Sequence, residues 1–180
     1  MKLIILDRDG VINFDSDQFI KSPDEWKPIP GSLEAIARLT REGWHVVVAT
    51  NQSGLARGLF EMATLNAIHA KMHRAVVQAG GRIEAVFYCP HAADMNCVCR
   101  KPGTGLFEEI ATRYGQDLRD VPAIGDSLRD LQAAASVGAS PWLVRTGKGE
   151  RTLAAGGLPA NTPVYVDLGE AVDHLLNTAA

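Results

Sequence analysis

Short apolar runs alternate along the chain with apolar stripes at helical spacing, and this alternation constrains the fold more than any other feature. Runs of this length, without polar residues between the apolar ones, are typical of strands buried on both faces of a sheet. The expected strands are residues 3–6, 46–49, 85–88, 121–124, 142–144 and 164–166. The expected helices, identified by apolar residues three and four positions apart, lie around residues 33–39, 65–76, 106–114, 128–138 and 171–176.

Strands that alternate with helices predict an α/β fold with a doubly wound, mostly parallel sheet. Neither a repeat nor a linker divides the 180 residues, so we expect a single domain over residues 1–180. No long insertion follows the first or the third expected strand, and we therefore expect no large cap domain. Such sheets bind ligands beyond the carboxyl ends of their strands, which is where a site is expected.

Composition excludes several classes of protein. The 18 basic and 21 acidic side chains give a net charge of −3, which argues against a broad surface for nucleic acid. Apolar runs fall well short of the ~20 residues needed to cross a bilayer. Three cysteines are too few for a disulfide framework. We expect a cytoplasmic monomer with neither a membrane nor a nucleic-acid partner.

Polar motifs follow four of the expected strands. The first strand ends in Asp7-Arg8-Asp9-Gly10, where neighbouring carboxylates would repel each other and favour a divalent cation. The second ends in Thr50-Asn51-Gln52-Ser53-Gly54, whose polar groups could cradle an anion. Arg100-Lys101 comes after the third, and Gly125-Asp126-Ser127, with Asp130, after a later one. Each motif alone also fits a turn, a helix cap or a solvated basic pair, but all four fall where an α/β site is built.

Together these residues supply the parts of a phosphoryl-transfer site. Asp7 could attack phosphorus and form an aspartyl-phosphate. Asp9 could protonate the leaving alkoxide and then activate water. Fixed positive groups and a cation stabilise the charge that such a transfer develops. In this interpretation Thr50 and Lys101 hold the phosphoryl group, and Mg²⁺ is held by Asp7, Asp9 and Asp126.

All three cysteines lie close together with one histidine, as Cys89-Pro90-His91 and Cys97-Val98-Cys99. Three thiolates and one imidazole complete a four-ligand Zn²⁺ set and leave no coordination position open. The spacing therefore predicts a structural zinc that stabilises the loop leading into Arg100-Lys101. A redox pair and incidental free thiols are the alternatives, although a C-x-C disulfide would be strained.

The strand-end motifs, in this order, resemble those of the haloacid dehalogenase-like phosphatases. With the cysteine motif added, the sequence is similar to one family among them, the D-glycero-D-manno-heptose 1,7-bisphosphate 7-phosphatases. The resemblance covers about residues 1–175 and is carried by four stretches: 7–13, 50–58, 89–91 and 97–102. The histidinol-phosphate phosphatases share most of these motifs, including the zinc loop.

This resemblance implies a Mg²⁺-dependent phosphatase for a sugar bisphosphate, on the route to ADP-heptose and the lipopolysaccharide core. It also implies that Asp9 offers the metal its backbone carbonyl. Histidinol phosphate, or another small phosphomonoester, remains the alternative substrate, and the anomer stays open. A non-catalytic anion-binding module is disfavoured because the nucleophile, the acid/base and the phosphate lysine are all present. Beyond Asp7 and Asp9, the implied substrate contacts are Arg8, Asp15, Ser16, Asp17, Gln18, Asn51, Gln52, Ser53 and Arg100.

The remaining histidines show no complete metal-ligand set. His69 and His73 are four positions apart on an expected helix, a spacing that could bind a metal, but a third ligand is not evident. We interpret them, together with His45 and His174, as surface or boundary residues.

Overall fold

The computed structural model describes residues 1–179 and confirms the α/β fold with a parallel sheet. The sheet has six strands in the order β3-β2-β1-β4-β5-β6, and every neighbouring pair is parallel. Each strand lies within two residues of its expected position. The bounds are β1 Leu3–Leu6, β2 His45–Asn51, β3 Ala85–Cys89, β4 Pro122–Gly125, β5 Ser140–Val144 and β6 Val164–Tyr165.

Five of the six α-helices coincide with the expected apolar stripes, and only α5 was not predicted. The helices are α1 Ser32–Arg41, α2 Met62–Gln78, α3 Gly105–Tyr114, α4 Leu128–Ser136, α5 Gly149–Ala155 and α6 Leu168–Thr178. Helix α5 buries only Gly149, so its sequence has no apolar stripe to identify it. No helix within residues 1–179 is long and apolar enough to cross a membrane.

Helices cover both faces of the sheet and enclose two apolar cores. Helices α1, α2 and α6 pack on one face, against residues such as Ile4 and Leu6 of β1. Helices α3 and α4 pack on the other, against Leu3 and Ile5. Successive residues of β1 therefore enter opposite cores, which is why the strand is an unbroken apolar run.

The order of the strands places a crevice at the carboxyl end of β1. The chain runs outward from β1 through β2 to β3 and then returns to β4 on the other side of β1. Ligands bind at such a reversal of strand order. Within residues 1–179 no separate cap domain covers this edge. The segment 13–27 and the cysteine-containing loop after β3 flank it instead.

Candidate active site

The carboxyl ends of β1, β2 and β4 meet at a polar cleft of about 250 Å³. Most of the predicted site residues line it, which brings together positions from residue 7 to residue 130. The cleft is lined by Asp7, Asp9, Asp15, Ser16, Asp17, Phe19, Thr50, Asn51, Ser53, Arg57, Arg100, Lys101, Asp126, Ser127, Arg129, Asp130 and Lys148.

Lys101 is the buried cation at the centre of the cleft and is only 2% exposed. Its Nζ lies 3.2 Å from Asp7 Oδ1 and 2.6 Å from Asp130 Oδ1, and it donates to the Ala49 carbonyl at 2.7 Å. An ammonium has three donors, and each has an acceptor here. Burial alone would lower the pKa of Lys101, but Asp130 and Asp7 raise it above its usual value. The side chain therefore stays charged.

Asn51 holds the main chain of Lys101 in place. Its Nδ2 donates to the Lys101 carbonyl at 3.1 Å, and its Oδ1 accepts from the Lys101 N–H at 2.9 Å. The loop after β3 is thereby fastened to the end of β2. Asn51 lines the cleft as predicted, but its amide is engaged with the protein.

Asp7 follows β1 directly, and Arg8 N–H and Lys101 both donate to its Oδ1, at 2.8 and 3.2 Å. Burial raises the pKa of Asp7 well above its usual range, and repulsion from Asp130 adds to this while Lys101 opposes it. The ionised carboxylate is thus held by one cation and repelled by its acidic neighbours, so a further cation would stabilise it.

Asp126 follows β4 and is enclosed by backbone. Its Oδ2 accepts from the Lys148 N–H at 2.9 Å. A Cβ at either Gly10 or Gly147 would overlap that same oxygen, and both glycines have positive φ. Only glycine permits this close approach. Burial, with repulsion from Asp130, raises the pKa of Asp126 to about 7.

The carboxylates of Asp7, Asp126 and Asp130 form one cluster, in which an oxygen of each lies within 4.8 Å of the others. Oxygen donors of this kind suit Mg²⁺. Asp130 is the most engaged of the three, since Ser127 donates to its Oδ2 at 3.1 Å from N and 3.0 Å from Oγ. Burial would raise the pKa of Asp130, but Lys101 and Ser127 lower it. The donor set fits a hard divalent cation held mainly by Asp7 and Asp126.

Asp9 faces a different set of partners. Its Oδ1 accepts from Arg8 Nε and from Asn13 Nδ2, both at 2.9 Å, and its Oδ2 accepts from Gln52 Nε2 at 3.2 Å. Burial would raise the pKa of Asp9, but Arg8, Asn13 and Gln52 lower it. Its carboxylate is therefore oriented apart from the cluster of Asp7, Asp126 and Asp130. That Asp9 contributes its carbonyl to a metal stays a prediction.

Three predicted contacts do not line the cleft. Arg8 is 0% exposed, so its guanidinium does not line the cleft, and a substrate contact of Arg8 stays a prediction. Gln52 is buried beneath Asp9, and Gln18 lines a neighbouring groove. The interpretation of His69 as a surface or boundary residue is wrong, because its ring is buried against Arg8.

Sequence reasoning did not identify Arg57, Arg129 and Lys148, which all line the cleft. Lys148 precedes α5, the helix without an apolar stripe, and its Nζ lies 3.4 Å from Asp15 Oδ2. Arg57 belongs to the 50–58 stretch that carries the family resemblance, so that signal was present. Arg129 lies two residues beyond Ser127, on the first turn of α4.

The four predicted zinc ligands form a compact cluster at the end of β3. One donor atom of each of Cys89, His91, Cys97 and Cys99 lies within 4.8 Å of the others. Cys89 Sγ is 3.6 Å from Cys97 Sγ and 2.9 Å from Cys99 Sγ, and His91 Nδ1 is 3.3 Å from Cys99 Sγ, so the donors are packed somewhat more closely than in a zinc tetrahedron. Zn–S bonds of ~2.3 Å in a tetrahedron place sulfurs ~3.8 Å apart. The three cysteines form no disulfide, and the donor set is compatible with zinc.

Comparison with known proteins agrees with this geometry. A HAD-hydrolase-like family model matches residues 98–171, and a model of the polynucleotide kinase 3 phosphatase family matches residues 2–127. A D-glycero-beta-D-manno-heptose-1,7-bisphosphate 7-phosphatase of Bordetella bronchiseptica is 65% identical over 99% of this chain and 100% of its own length. The protein of the same name from Pseudomonas putida is 53% identical over 98% of this chain and 100% of its own length.

The chain belongs to the D-glycero-beta-D-manno-heptose-1,7-bisphosphate 7-phosphatase family. It is a phosphatase of the HAD-like hydrolases. The crystal structure of the Bordetella bronchiseptica D,D-heptose 1,7-bisphosphate phosphatase, with magnesium and phosphate, superposes with a TM-score of 0.98 at 65% identity, over 99% of each chain. The Burkholderia thailandensis D,D-heptose 1,7-bisphosphate phosphatase gives 0.79 at 55% identity, over 98% of this chain and 99% of that one. Magnesium and phosphate in a relative this similar agree with the acidic cluster beside Lys101.

Proposed function

We propose that the chain removes the 7-phosphate of D-glycero-β-D-manno-heptose 1,7-bisphosphate by way of an aspartyl-phosphate on Asp7. The observation that carries this proposal is the meeting of Asp7, Lys101 and Asp126 at the end of β1, with Asp9 beside them in one cleft. The names of the two relatives with 65% and 53% identity support the substrate and the β anomer.

In the first step an Asp7 oxygen attacks phosphorus while the bond from phosphorus to the C7 oxygen breaks. The Arg8 N–H and Lys101 already engage Oδ1, which leaves Oδ2 as the attacking atom. Arg8, Asn13 and Gln52 lower the pKa of Asp9, whereas the negative charge of the bound bisphosphate opposes them and favours the protonated carboxyl. Asp9 in that protonated form gives its proton to the departing alkoxide, so that heptose 1-phosphate leaves with a hydroxyl at C7. Lys101 and the Thr50 hydroxyl hold the equatorial oxygens of the phosphoryl group.

In the second step water attacks the phosphorus of the aspartyl-phosphate, and the bond to the Asp7 oxygen breaks. Asp9, now ionised, takes the proton from that water. Arg8, Asn13 and Gln52 favour this ionised form. Phosphate leaves, and both aspartates return to their starting states.

Asp7 and Asp126, with the carbonyl of Asp9, would hold Mg²⁺. When bound, the cation neutralises charge on the phosphoryl group and on the acidic cluster. The fit rests on the raised pKa values of Asp7 and Asp126 and on the glycine cradle around Asp126 Oδ2.

The walls of the cleft support a substrate that carries a second phosphate. Arg57, Arg100 and Arg129 all line the cleft. Burial lowers the pKa of Arg100, and repulsion from Arg129 and Arg57 adds to this, so the three guanidinium groups act on one another. A guanidinium group can donate two parallel hydrogen bonds to two oxygens of one phosphate. Asp15 and Asp17, on the segment 13–27, supply acceptors for sugar hydroxyls. We assign the arginines to the 1-phosphate, and we extend the substrate contacts to Ser16 and Ser53.

We further propose that Cys89, His91, Cys97 and Cys99 hold a structural zinc. The loop that they close leads directly to Arg100 and Lys101. We expect a cytoplasmic monomer with one domain, acting in the synthesis of activated heptose for the lipopolysaccharide core.

³¹P NMR tests the substrate. The purified protein with Mg²⁺ is given both anomers of the heptose 1,7-bisphosphate, and histidinol phosphate in parallel. We expect loss of the 7-phosphate signal, retention of the 1-phosphate signal, and faster reaction with the β anomer. Preference for histidinol phosphate would move the chain to that substrate with the same residues in the same roles. If no phosphomonoester is hydrolysed, the proposed function is wrong.

A further inference from the structure

A buried arginine and a buried histidine lie behind the Asp9 carboxylate, on the side away from the cleft. Arg8 is 0% exposed, and His69 belongs to the buried face of α2. Neither side chain lines the cleft. A fully buried arginine is rare unless its charge is paired, so this one needs an explanation.

The Arg8 guanidinium is held between the two side chains. Its Nε donates to Asp9 Oδ1 at 2.9 Å, and its Nη2 lies 2.9 Å from the same oxygen. Its Nη1 lies 3.0 Å from Nε2 of His69. The planar group therefore has one edge on the carboxylate and its far end on the imidazole.

The chemistry of the contact fixes the state of the imidazole. A guanidinium has only donors, so His69 Nε2 must be the acceptor and must carry no proton. The ring is then neutral with its proton on Nδ1. Burial, together with the charge of Arg8, lowers the pKa of His69 to about 3, which agrees with a ring that is neutral at working pH.

We propose that His69 is a positioning residue for phosphoryl transfer: its imidazole accepts from Arg8 Nη1 and so fixes the guanidinium that orients the Asp9 carboxylate. This inference rests on the proposed function, in which Asp9 transfers the proton. Its effect passes from α2 through Arg8 to Asp9, and neither the Arg8 guanidinium nor the His69 ring lines the cleft. Without an acceptor at position 69, Arg8 would lose one of the two anchors that define its plane.

The loss of activity on replacing His69 should depend on the basicity of the leaving group. A positioned acid matters most when the leaving oxygen is strongly basic, and matters little when the leaving group departs as a stable anion. Phenyl phosphate and 4-nitrophenyl phosphate differ in this respect while sharing their shape. Loss of Asp9 orientation should therefore lower kcat/KM for phenyl phosphate more than for 4-nitrophenyl phosphate.

Two variants separate the hydrogen bond from the packing. His69→Gln retains an acceptor oxygen close to the position of Nε2, whereas His69→Leu fills the space without one. For His69→Leu we expect kcat/KM to fall ~10-fold or more with phenyl phosphate and less than ~3-fold with 4-nitrophenyl phosphate. With the sugar bisphosphate, kcat should fall while KM stays nearly constant, and His69→Gln should restore most of the loss.

His73→Leu is the matched control, because it lies one turn further along α2 and does not contact Arg8. It should leave both aryl phosphates nearly unaffected, and thermal melting checks that all variants fold. Equal losses with the two aryl phosphates, or equal behaviour of His69→Gln and His69→Leu, would overturn the inference. If the unmodified protein hydrolyses no phosphomonoester, the proposed function fails first and the inference fails with it.

Discussion

Two clusters of candidate metal ligands lie at the same edge of the sheet and are built in opposite ways. The first, here called the sulfur cluster, consists of Cys89, His91, Cys97 and Cys99, which lie within eleven consecutive residues. The second, the carboxylate cluster, joins Asp7 to Asp126 and Asp130, which are far apart in the sequence. The first is complete in itself, because four donors close a tetrahedron. The second opens on the cleft and includes a cation of the protein, Lys101. A short stretch of chain supplies every donor of the sulfur cluster, but the carboxylate cluster forms only when β1 and β4 come together in the sheet.

Lys101 connects the two clusters. Its side chain lies among the carboxylates, and its main chain follows Cys99 by two residues and is fastened to Asn51. The sulfur cluster can therefore affect catalysis through the position of Lys101, without any contact between zinc and the substrate.

The largest effect is expected at the nucleophile. Asp7→Asn removes the attacking carboxylate, so phosphate release should fall by ~10⁴-fold or more. The control is Asp117→Asn, whose side chain is 71% exposed and lies outside the cleft. It should keep normal activity in the same assay. Hydrolysis that survives Asp7→Asn would exclude the aspartyl-phosphate.

Breaking the sulfur cluster should have the next largest effect. In Cys97→Ser we expect zinc content to fall and kcat to drop by ~100-fold, since a misplacement of about 1 Å in a reacting group can cost that much. Metal analysis of protein purified without added zinc, and steady-state kinetics with excess Mg²⁺, provide the measurement. Less than ~0.3 Zn per chain in the unmodified protein would count against the zinc site.

The clamp on Lys101 should show a smaller effect. Asn51→Ala removes both hydrogen bonds to the Lys101 main chain and should lower kcat by ~10-fold. Asn66→Ala, at an exposed position of α2, is the control. Because both changes act through Lys101, Asn51→Ala combined with Cys97→Ser should cost less than the product of the single losses. Full multiplication would show that the two supports are independent.

The smallest effect concerns pH and the acidic cluster. In metal-free protein the pKa of Asp126 is raised to about 7, so this carboxyl favours the protonated folded state. Its stabilising contribution is greatest at low pH and is lost as the pH rises through about 7. Mg²⁺ stabilises the ionised form, so added Mg²⁺ should raise Tm more at pH 8 than at pH 6. Calorimetry at both pH values measures this, and an equal shift at each would contradict it.

Much of the fold could be predicted because the central strands are buried on both faces. Residues such as Ile4 and Ile5 enter opposite cores, so the run from Leu3 to Leu6 contains no polar residue. Helix α5 could not be predicted because it packs through little more than Gly149. Because Lys148 precedes this helix, its hydrogen bond to Asp126 was not predicted either.

The site was predictable where the chemistry follows a strand, as at Asp7 and Asp126, because parallel strands bring such residues to one edge. It was not predictable where one side chain needs a distant partner. The family resemblance implied that Arg8 contacts the substrate, whereas its side chain pairs with His69, which is 61 positions away on a helix with no other sign of function. Spacing carries no information about such a pair, since only the packing of α2 on the sheet brings it together.

Trapping the phosphoenzyme tests the central claim most directly. Unmodified protein and Asp9→Asn are mixed with labelled 4-nitrophenyl phosphate and Mg²⁺, quenched within milliseconds and mapped by peptide mass spectrometry. We expect the label on Asp7, at a higher level in Asp9→Asn because the ionised Asp9 is needed to activate water. Label on another residue, or turnover without labelled protein in both samples, would contradict the assignment of Asp7 as the nucleophile.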